Sequence, residues 1–233
     1  MKIAILSDIH GNVFALKSVL DAIAKKNVEI IIIAGDFVGY YFWPVEVFDL
    51  LKNYEIIAIS GNHDKMLKKA RTERGYLDKI CKKYGSGLNI ALENLDDISL
   101  SWLENLPDSF EFKTQYGNIL ICHGSPWDNN EYIYPDISNG LLGRYSNLNF
   151  KWVIHGHTHY PMYKEKGGTI LINPGSVGQS RNGKPGAYWA LLDTELGKPY
   201  FFCEKYDLQK VIDESKKRHP EIPYLANILE VVG

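Results

Sequence analysis

Cysteine is scarce. Cys81, Cys122 and Cys203 are widely spaced and form no CxxC pair. An odd number at such spacing argues against a disulfide framework and against a structural zinc knot. The usage suits a reducing cytoplasm. Long hydrophobic runs are missing too. The longest, Ile30 to Ala34, falls far short of the roughly 20 apolar residues that span a bilayer, so no membrane association is expected. The apolar opening MKIAIL is interrupted by Asp8 and His10, too soon for a signal peptide. Neither sign of charge dominates: Lys+Arg is 26, Asp+Glu is 28, and the net charge is −2. That leaves no polybasic field for nucleic acid or an anionic lipid surface. No Walker A motif is present, and no GxGxxG follows the first apolar run, so the common nucleotide-binding loops are absent. Repeats, low-complexity segments and Pro-rich linkers are absent as well.

What is there is 233 residues, 45% hydrophobic and 23% charged, an ordinary mixture for a globular protein. One domain over 1–233 is expected, with the helical stretch from about 207 to 233 as an appendage. Lys2–Leu6, Glu29–Ala34 and Glu55–Ser60 are continuous apolar runs rich in β-branched residues and read as buried strands. Asn12–Lys26 carries Val13, Leu16, Val19, Leu20 and Ile23 at helical spacing, and Pro44 opens a second helix. Strand–helix–strand–helix–strand argues for an α/β fold with a parallel sheet covered on both faces. The middle, Lys65–Leu106, reads as mostly helical, with Lys68–Arg74 as a solvated face. Strands are expected again at Ser109–Gln115, Asn118–Cys122, Trp152–Ile154, Met162–Glu165, Thr169–Ile172, Ala187–Leu192 and Tyr200–Glu204. Tyr116-Gly117-Asn118 and Lys166-Gly167-Gly168 mark tight turns, so the second half is richer in antiparallel hairpins. Leu208–Lys217 and Leu225–Val231 read as closing helices.

The chemistry-bearing residues follow the strands. Six of the seven histidines do so, and so do the most telling acids. The strand ends read Ser7-Asp8-Ile9-His10-Gly11-Asn12, Gly35-Asp36, Gly61-Asn62-His63-Asp64, His123-Gly124 and His155-Gly156-His157-Thr158-His159. In open α/β sheets, ligands bind beyond the carboxyl ends of the strands. Along an extended chain, residues two apart point the same way, so Asp8 and His10 can share a target, as can His157 and His159. Asp36 is free to bridge two ions with its two oxygens. Carboxylate, amide and imidazole without thiolate suit Mn, Fe, Zn, Co or Ni. Two ions bridged by a carboxylate suit phosphate-ester hydrolysis. His155, at the end of an apolar strand, reads as a hydrogen-bonded core residue, and His219 as a surface one.

The ordered set Asp-x-His, Gly-Asp, Gly-Asn-His-Asp, His-Gly and Gly-His-Thr-His resembles the calcineurin-like metallophosphoesterase superfamily from Lys2 to about Leu192. Asn173-Pro174-Gly175-Ser176-Val177-Gly178 is similar to a turn of its small prokaryotic phosphodiesterase branch. The resemblance implies a two-sheet β-sandwich flanked by helices (αββα), of mixed parallel and antiparallel strands. It also implies two divalent metal ions, with manganese favoured. Asp8, His10 and His159 would hold the first, Asn62, His123 and His157 the second, and Asp36 would be shared. His63 looks like the family's non-ligand histidine, which contacts the phosphate and can protonate the leaving oxygen while a hydroxide shared by the metals attacks. Asn62 and His63 diverge, on this reading, by the pleat of an extended chain. Metal binding needs neutral imidazoles and ionised carboxylates, so activity should collapse at acid pH.

The family's protein phosphatases carry GDxxDRG, whereas here Gly35-Asp36 is followed by Phe37-Val38-Gly39-Tyr40. The acid that would orient His63 and the arginine that would clamp phosphate are both missing, and Asp64 points elsewhere. Arg181, in a Gly-containing loop, is the candidate substrate contact. Tyr40–Trp43 and Trp127–Tyr145 either overhang the metals or pack locally. The expected partner is a small phosphoester, with a phosphodiester favoured. A phosphomonoesterase, a nucleotide pyrophosphohydrolase or a non-catalytic scaffold of the same fold are the alternatives, and a homo-oligomer is left open.

Overall fold

The computed structural model describes residues 1–230. In chain order the elements are β1 (Lys2–Leu6), α1 (Val13–Ile23), β2 (Ile30–Ile33), α2 (Pro44–Leu51), β3 (Ile56–Ala58), α3 (Asn62–Thr72), α4 (Tyr76–Tyr84), α5 (Gly87–Asn94) and α6 (Asp97–Glu104). The second half runs β4 (Ser109–Thr114), β5 (Gly117–Cys122), α7 (Asn139–Ser146), β6 (Trp152–Ile154), β7 (Pro161–Lys166), β8 (Thr169–Pro174), β9 (Ala187–Asp193), β10 (Lys198–Glu204), α8 (Leu208–Arg218) and α9 (Tyr224–Glu230). Val231, the last residue of the expected closing helix, lies outside the described residues. The strands form two five-stranded sheets, ordered β10-β9-β1-β2-β3 and β4-β5-β6-β8-β7. β1, β2 and β3 are parallel, as are β5, β6 and β8, and the hairpin partners β4, β7, β9 and β10 run antiparallel.

Period-two alternation explains the layers. Ile3, Ile5, Ile30 and Ile32 point into the space between the sheets, where Ile119, Ile121, Trp152, Ile154, Ile170 and Ile172 meet them. Ala4, Leu6, Ile31 and Ile33 point the other way, onto Leu16, Val19 and Leu20 of α1 and Val47 and Leu51 of α2. On the far side, Leu120, Val153 and Leu171 are covered by Leu142 and Tyr145 of α7. The order is helix, sheet, sheet, helix. Each fully buried Ile or Leu contributes about 1.5–3 kcal/mol by leaving water, so both faces of each central strand are committed. The continuous apolar runs in the sequence reflect this double coverage.

Two local expectations are corrected. Residues 62–64 do not continue an extended chain; they open α3. Asn62 and His63 therefore diverge by the rotation of a helical turn and not by a pleat. His219 is not a surface residue. Its side chain is only 13% exposed, and its Nε2 accepts the Ser86 backbone N–H at 2.9 Å at the start of α5. His219→Ala should cost about 1 kcal/mol, typical of one lost hydrogen bond. For a chain of this size that is a fall of about 2–4 °C in Tm by scanning calorimetry. An unchanged Tm would mean that the contact contributes nothing.

α8 and α9 lay Val211, Ile212, Leu225, Ala226 and Leu229 against Tyr41 and Phe42. The loop after β2 is thereby roofed by the C-terminal helices. Among the described residues, all three cysteines are free, and no helix is long and apolar enough to cross a membrane. Cys122 is buried, and His155 is a hydrogen-bonded core residue: its Nδ1 lies 2.7 Å from the Gly124 carbonyl oxygen.

Candidate metal centre

The five strand ends meet at one rim. β1 leads to Asp8 and His10, β2 to Asp36, β3 to Asn62 and His63, β5 to His123, and β6 to His157 and His159. The loops are lashed together by their backbones: Asp8 N–H donates to Gly35 O at 3.0 Å, His10 N–H to Asp36 O at 3.0 Å, and Gly156 N–H to His123 O at 2.9 Å.

The pairs Asp8/His10 and His157/His159 do not converge through an extended chain. Asp8, His10, Asp36, His157 and His159 have φ of 55°, 51°, 58°, 65° and 63°, in the left-handed region. Among the described residues other than glycine, only Asn27 and Asn149 share that feature without being candidate ligands. Such conformations cost on the order of 1–3 kcal/mol each and cluster where function requires them. Asp and His tolerate them better than most residues.

Two carboxylates organise the donors. Asp8 Oδ2 accepts the His157 backbone N–H at 3.1 Å, and its Oδ1 faces His159 Nε2 at 3.2 Å and His10 Nε2 at 3.7 Å. Asp36 Oδ1 accepts the His63 backbone N–H at 2.7 Å, and its Oδ2 lies 3.7 Å from His10 Nε2 and 3.4 Å from His123 Nε2. Asp36 thus presents one oxygen, not two, to both sides. Asn62 Oδ1 lies 3.0 Å from His123 Nε2, which places the amide with the second group. His157 stands at the margin: its ring is 5.0 Å from that of His123, but its Nε2 is 3.2 Å from the Asn130 carbonyl oxygen.

Three groups bring their ligand atoms within 4.8 Å of one another: Asp8, His10 and His159; Asp8, Asp36 and His123; and His10, Asp36 and His63. The residues fit divalent cations on three counts. Asp8 Oδ1 is buried with no hydrogen-bond donor. His10 Nε2 and His159 Nε2 face each other at 3.1 Å, an arrangement of two acceptors unless a proton or a cation lies between them. The donors are oxygen and imidazole nitrogen without sulfur.

Electrostatics agree. Burial opposes the charge on Asp8 and Asp36, yet His159 beside Asp8, and His123 and His63 beside Asp36, hold both carboxyls well below the usual range. Burial pushes His10 and His159 down, and His157 to about 4. His123 is the exception: burial disfavours its charge, but the Asp36 carboxylate outweighs that and raises it to about 9. A cation bound there would displace that proton.

His63 has no acid behind it. Its Nδ1 is buried and unpartnered, and burial lowers the ring to about 4. Ring packing holds it instead: Tyr40 at 4.8 Å, Tyr84 at 4.9 Å and His10 at 4.8 Å between centroids. Asp64 does point elsewhere. Its carboxylate accepts the backbone N–H groups of Asp36 at 2.8 Å, Phe37 at 3.0 Å and Gly61 at 2.9 Å, fastening the β2 loop to α3. Burial and the Asp36 charge push Asp64 up, to about 7, against those donors.

Gly61 shows how tight this junction is. A methyl there would sit 2.1 Å from Asp36 Oδ1 and 2.4 Å from the Asp36 backbone nitrogen, and its φ of −92° is open to any residue. Gly61→Ala therefore acts on Asp36 by contact alone. It should weaken metal binding about 10–100-fold, the range for disturbed ligand support. Titration calorimetry with Mn²⁺ reads it, and wild-type affinity would show that the loop yields without moving the carboxylate.

A cleft of about 290 Å³ opens over Asp36, Asn62, His63, His157 and His159. Its other walls are Tyr40, Lys83, Tyr84, Tyr132, Arg181 and Tyr224. Arg181, the one substrate contact expected from sequence, is in place: its Nη2 donates to Tyr40 Oη and to Gln179 Oε1, both at 3.0 Å. The aromatic segments divide. Tyr40 and Tyr132 line the cleft, whereas Tyr41 and Phe42 pack under α8 and α9, and Trp127 packs on Tyr145. Lys83, Tyr84 and Tyr224 were not foreseen, because nothing in a charged helix or a closing helix marks which residue tertiary packing will turn toward a site.

The calcineurin-like phosphoesterase superfamily domain matches residues 1–197. The chain belongs to this superfamily. It is 30% identical over 245 aligned positions to an uncharacterised protein of Methanocaldococcus jannaschii, covering 94% of each chain. It is 29% identical to a protein of the same archaeon named a phosphodiesterase, covering 84% of this chain and 94% of that one. The crystal structure of a metallophosphoesterase from Sphaerobacter thermophilus superposes with a TM-score of 0.79 at 25% identity, covering 99% of this chain and 98% of that one. Membership makes this superfamily chain a phosphoric ester hydrolase that depends on divalent metal.

Proposed function

We propose that the protein hydrolyses small phosphodiesters at a two-metal site, with manganese as the native metal. The observation that carries this reading is Asp36 Oδ2, which reaches His10 on one side and His123 on the other and so joins two donor groups through one atom. Asp8, His10, His159 and Asp36 would hold one cation, and Asp36, Asn62, His123 and His157 the other. Cations held there supply a lowered pKa for water and positive charge opposite the phosphoryl oxygens. The residues of the chain do the rest. Arg181, fixed by Tyr40 and Gln179, pairs with a non-bridging oxygen. Water adds to phosphorus, the P–O bond to the leaving alcohol breaks, and a proton goes to the leaving oxygen. His63, neutral and held by its aromatic neighbours, donates a hydrogen bond to that oxygen.

Gly39 and Tyr40 stand where the family's protein phosphatases have the acid and the arginine of GDxxDRG, and this favours a diester over a phosphoprotein. A relative named a phosphodiesterase supports the same choice. The small cleft and the net charge of −2 fit a small molecule better than a nucleic-acid polymer. Three free thiols fit a cytoplasmic protein. The chain is read as one domain, with α8 and α9 as its appended roof.

The test is hydrolysis of a chromogenic diester and its matching monoester by metal-stripped protein, with Mn, Fe, Zn, Co or Ni added back. Restored diester cleavage supports the reading. Cleavage of the monoester alone would replace it with a phosphomonoesterase, and no cleavage together with no bound metal would leave a scaffold.

A further inference from the structure

The family match ends at residue 197, but the cleft does not. Tyr224, on α9, reaches the cleft from beyond the matched region, and its hydroxyl donates to Gln179 Oε1 at 3.3 Å, the same atom that holds Arg181. Across from it, α4 contributes two further residues. The Tyr84 ring lies 4.9 Å from His63 and 5.8 Å from Tyr40. Lys83 Nζ sits 4.7 Å from the centre of the Tyr84 ring, exposed at the mouth. On the remaining side Tyr132 lies 4.1 Å from the His157 ring, is half exposed and stacks with Tyr134 at 5.7 Å between centroids.

We infer that this wall selects a phosphodiester whose leaving alcohol carries both an aromatic ring and a second anionic group, as a nucleoside 3′-phosphate does. The inference rests on the diesterase reading and on His63 facing the leaving oxygen. Tyr40 and Tyr84 flank His63, so whatever is attached to that oxygen lies against tyrosine rings. Flat aromatic groups stack on such rings whatever their polar edges, which makes the slot selective for a ring and tolerant of its identity. Lys83 Nζ lies over the Tyr84 ring, 4.7 Å from its centre, beside the space in which an anionic group carried on the same alcohol would sit. It has no carboxylate partner among the ion pairs of the described residues, so its charge is available to an anion. The cleft volume, about 290 Å³, is at the small end for ligand sites and holds one such group.

Three diesters test this on the metal-loaded, full-length protein. All share one phosphoryl portion and leave through a 5′-hydroxyl. The leaving alcohols are 1-O-methylribose, adenosine and adenosine 3′-phosphate. kcat/KM should rise about tenfold or more from the ribose to the nucleoside, in line with one stacked ring, and rise again with the added phosphate. Tyr84→Leu should bring the nucleoside-to-ribose ratio toward one, and Tyr84→Phe, which keeps the ring, should restore it. Lys83→Ala should bring the ratio of phosphorylated to plain nucleoside toward one. Circular dichroism and metal stoichiometry establish that each variant is folded and loaded. Equal kcat/KM on the three diesters, or ratios that these variants do not move, would overturn the inference alone. No cleavage of these or of a chromogenic diester with any metal would overturn the diesterase reading and this inference with it.

Discussion

If the site holds two cations as proposed, Asp36→Ala should abolish hydrolysis and strip both together. The side chain is buried, one oxygen is held by the His63 backbone N–H, and the other is, among the described residues, the only carboxylate oxygen that reaches both His10 and His123. Its removal takes a charge from each donor group at once. It also leaves His123 without the carboxylate that raises its pKa. Lewis-acid stabilisation is worth several kcal/mol, so losing it should lower kcat/KM more than about 10³-fold. Metal content by mass spectrometry of the purified variant should fall from two ions per chain toward none. A variant that keeps one ion would show that the groups fill independently and that Asp36 belongs to one of them.

His63→Ala should do the opposite: metal retained, turnover lost. The His63 ring is packed among Tyr40, Tyr84 and His10 and borders the cleft. A positioned proton donor typically contributes about 10²–10⁴-fold. The loss should appear in kcat and be smallest for diesters with acidic leaving alcohols, which need least help in departing. The competing assignment is concrete, because His63 also brings a ring nitrogen into one group with His10 and Asp36. Metal lost from the alanine variant would make His63 a ligand, and the hydrogen-bond donor to the leaving oxygen would then have to be sought elsewhere on the cleft.

Legibility in the sequence followed the range of the interactions. Lys2–Leu6 and Trp152–Ile154 were readable to the residue because both are buried on both faces, and an uninterrupted apolar run has little freedom of interpretation. The candidate ligands were readable because each directly follows a strand. The way they converge was not. Nothing in Asp-x-His distinguishes an extended pair from two left-handed residues, and the difference comes from backbone bonds to Gly35 and Asp36, almost thirty positions away. α7 was missed because its eight residues include two glycines and no strong apolar period, and it is held by packing Leu142 and Tyr145 on the outer sheet. His219 was misread for the same reason: its partner, Ser86, is 133 positions distant. The outer wall of the cleft lies at that end of the scale, since α4, α9 and the Gln179 loop meet only in the finished fold.

The place of β1 at the centre of its sheet has a consequence for how the chain is made. β1 pairs with β2 on one side and with β9 on the other, Ile3 lying opposite Leu192. The turn before β9 also grips the first ligand loop: Val177 N–H donates to Ser7 O, and Ser176 Oγ to Asp8 O. Asp8 leaves the ribosome well before the residues that fix its conformation, Ser176 being 168 positions further along the chain. Until then β1 has one open edge, of the kind that invites pairing with other chains. A chain broken off before residue 187 would thus keep all of its candidate ligands while lacking the strand that frames the first of them.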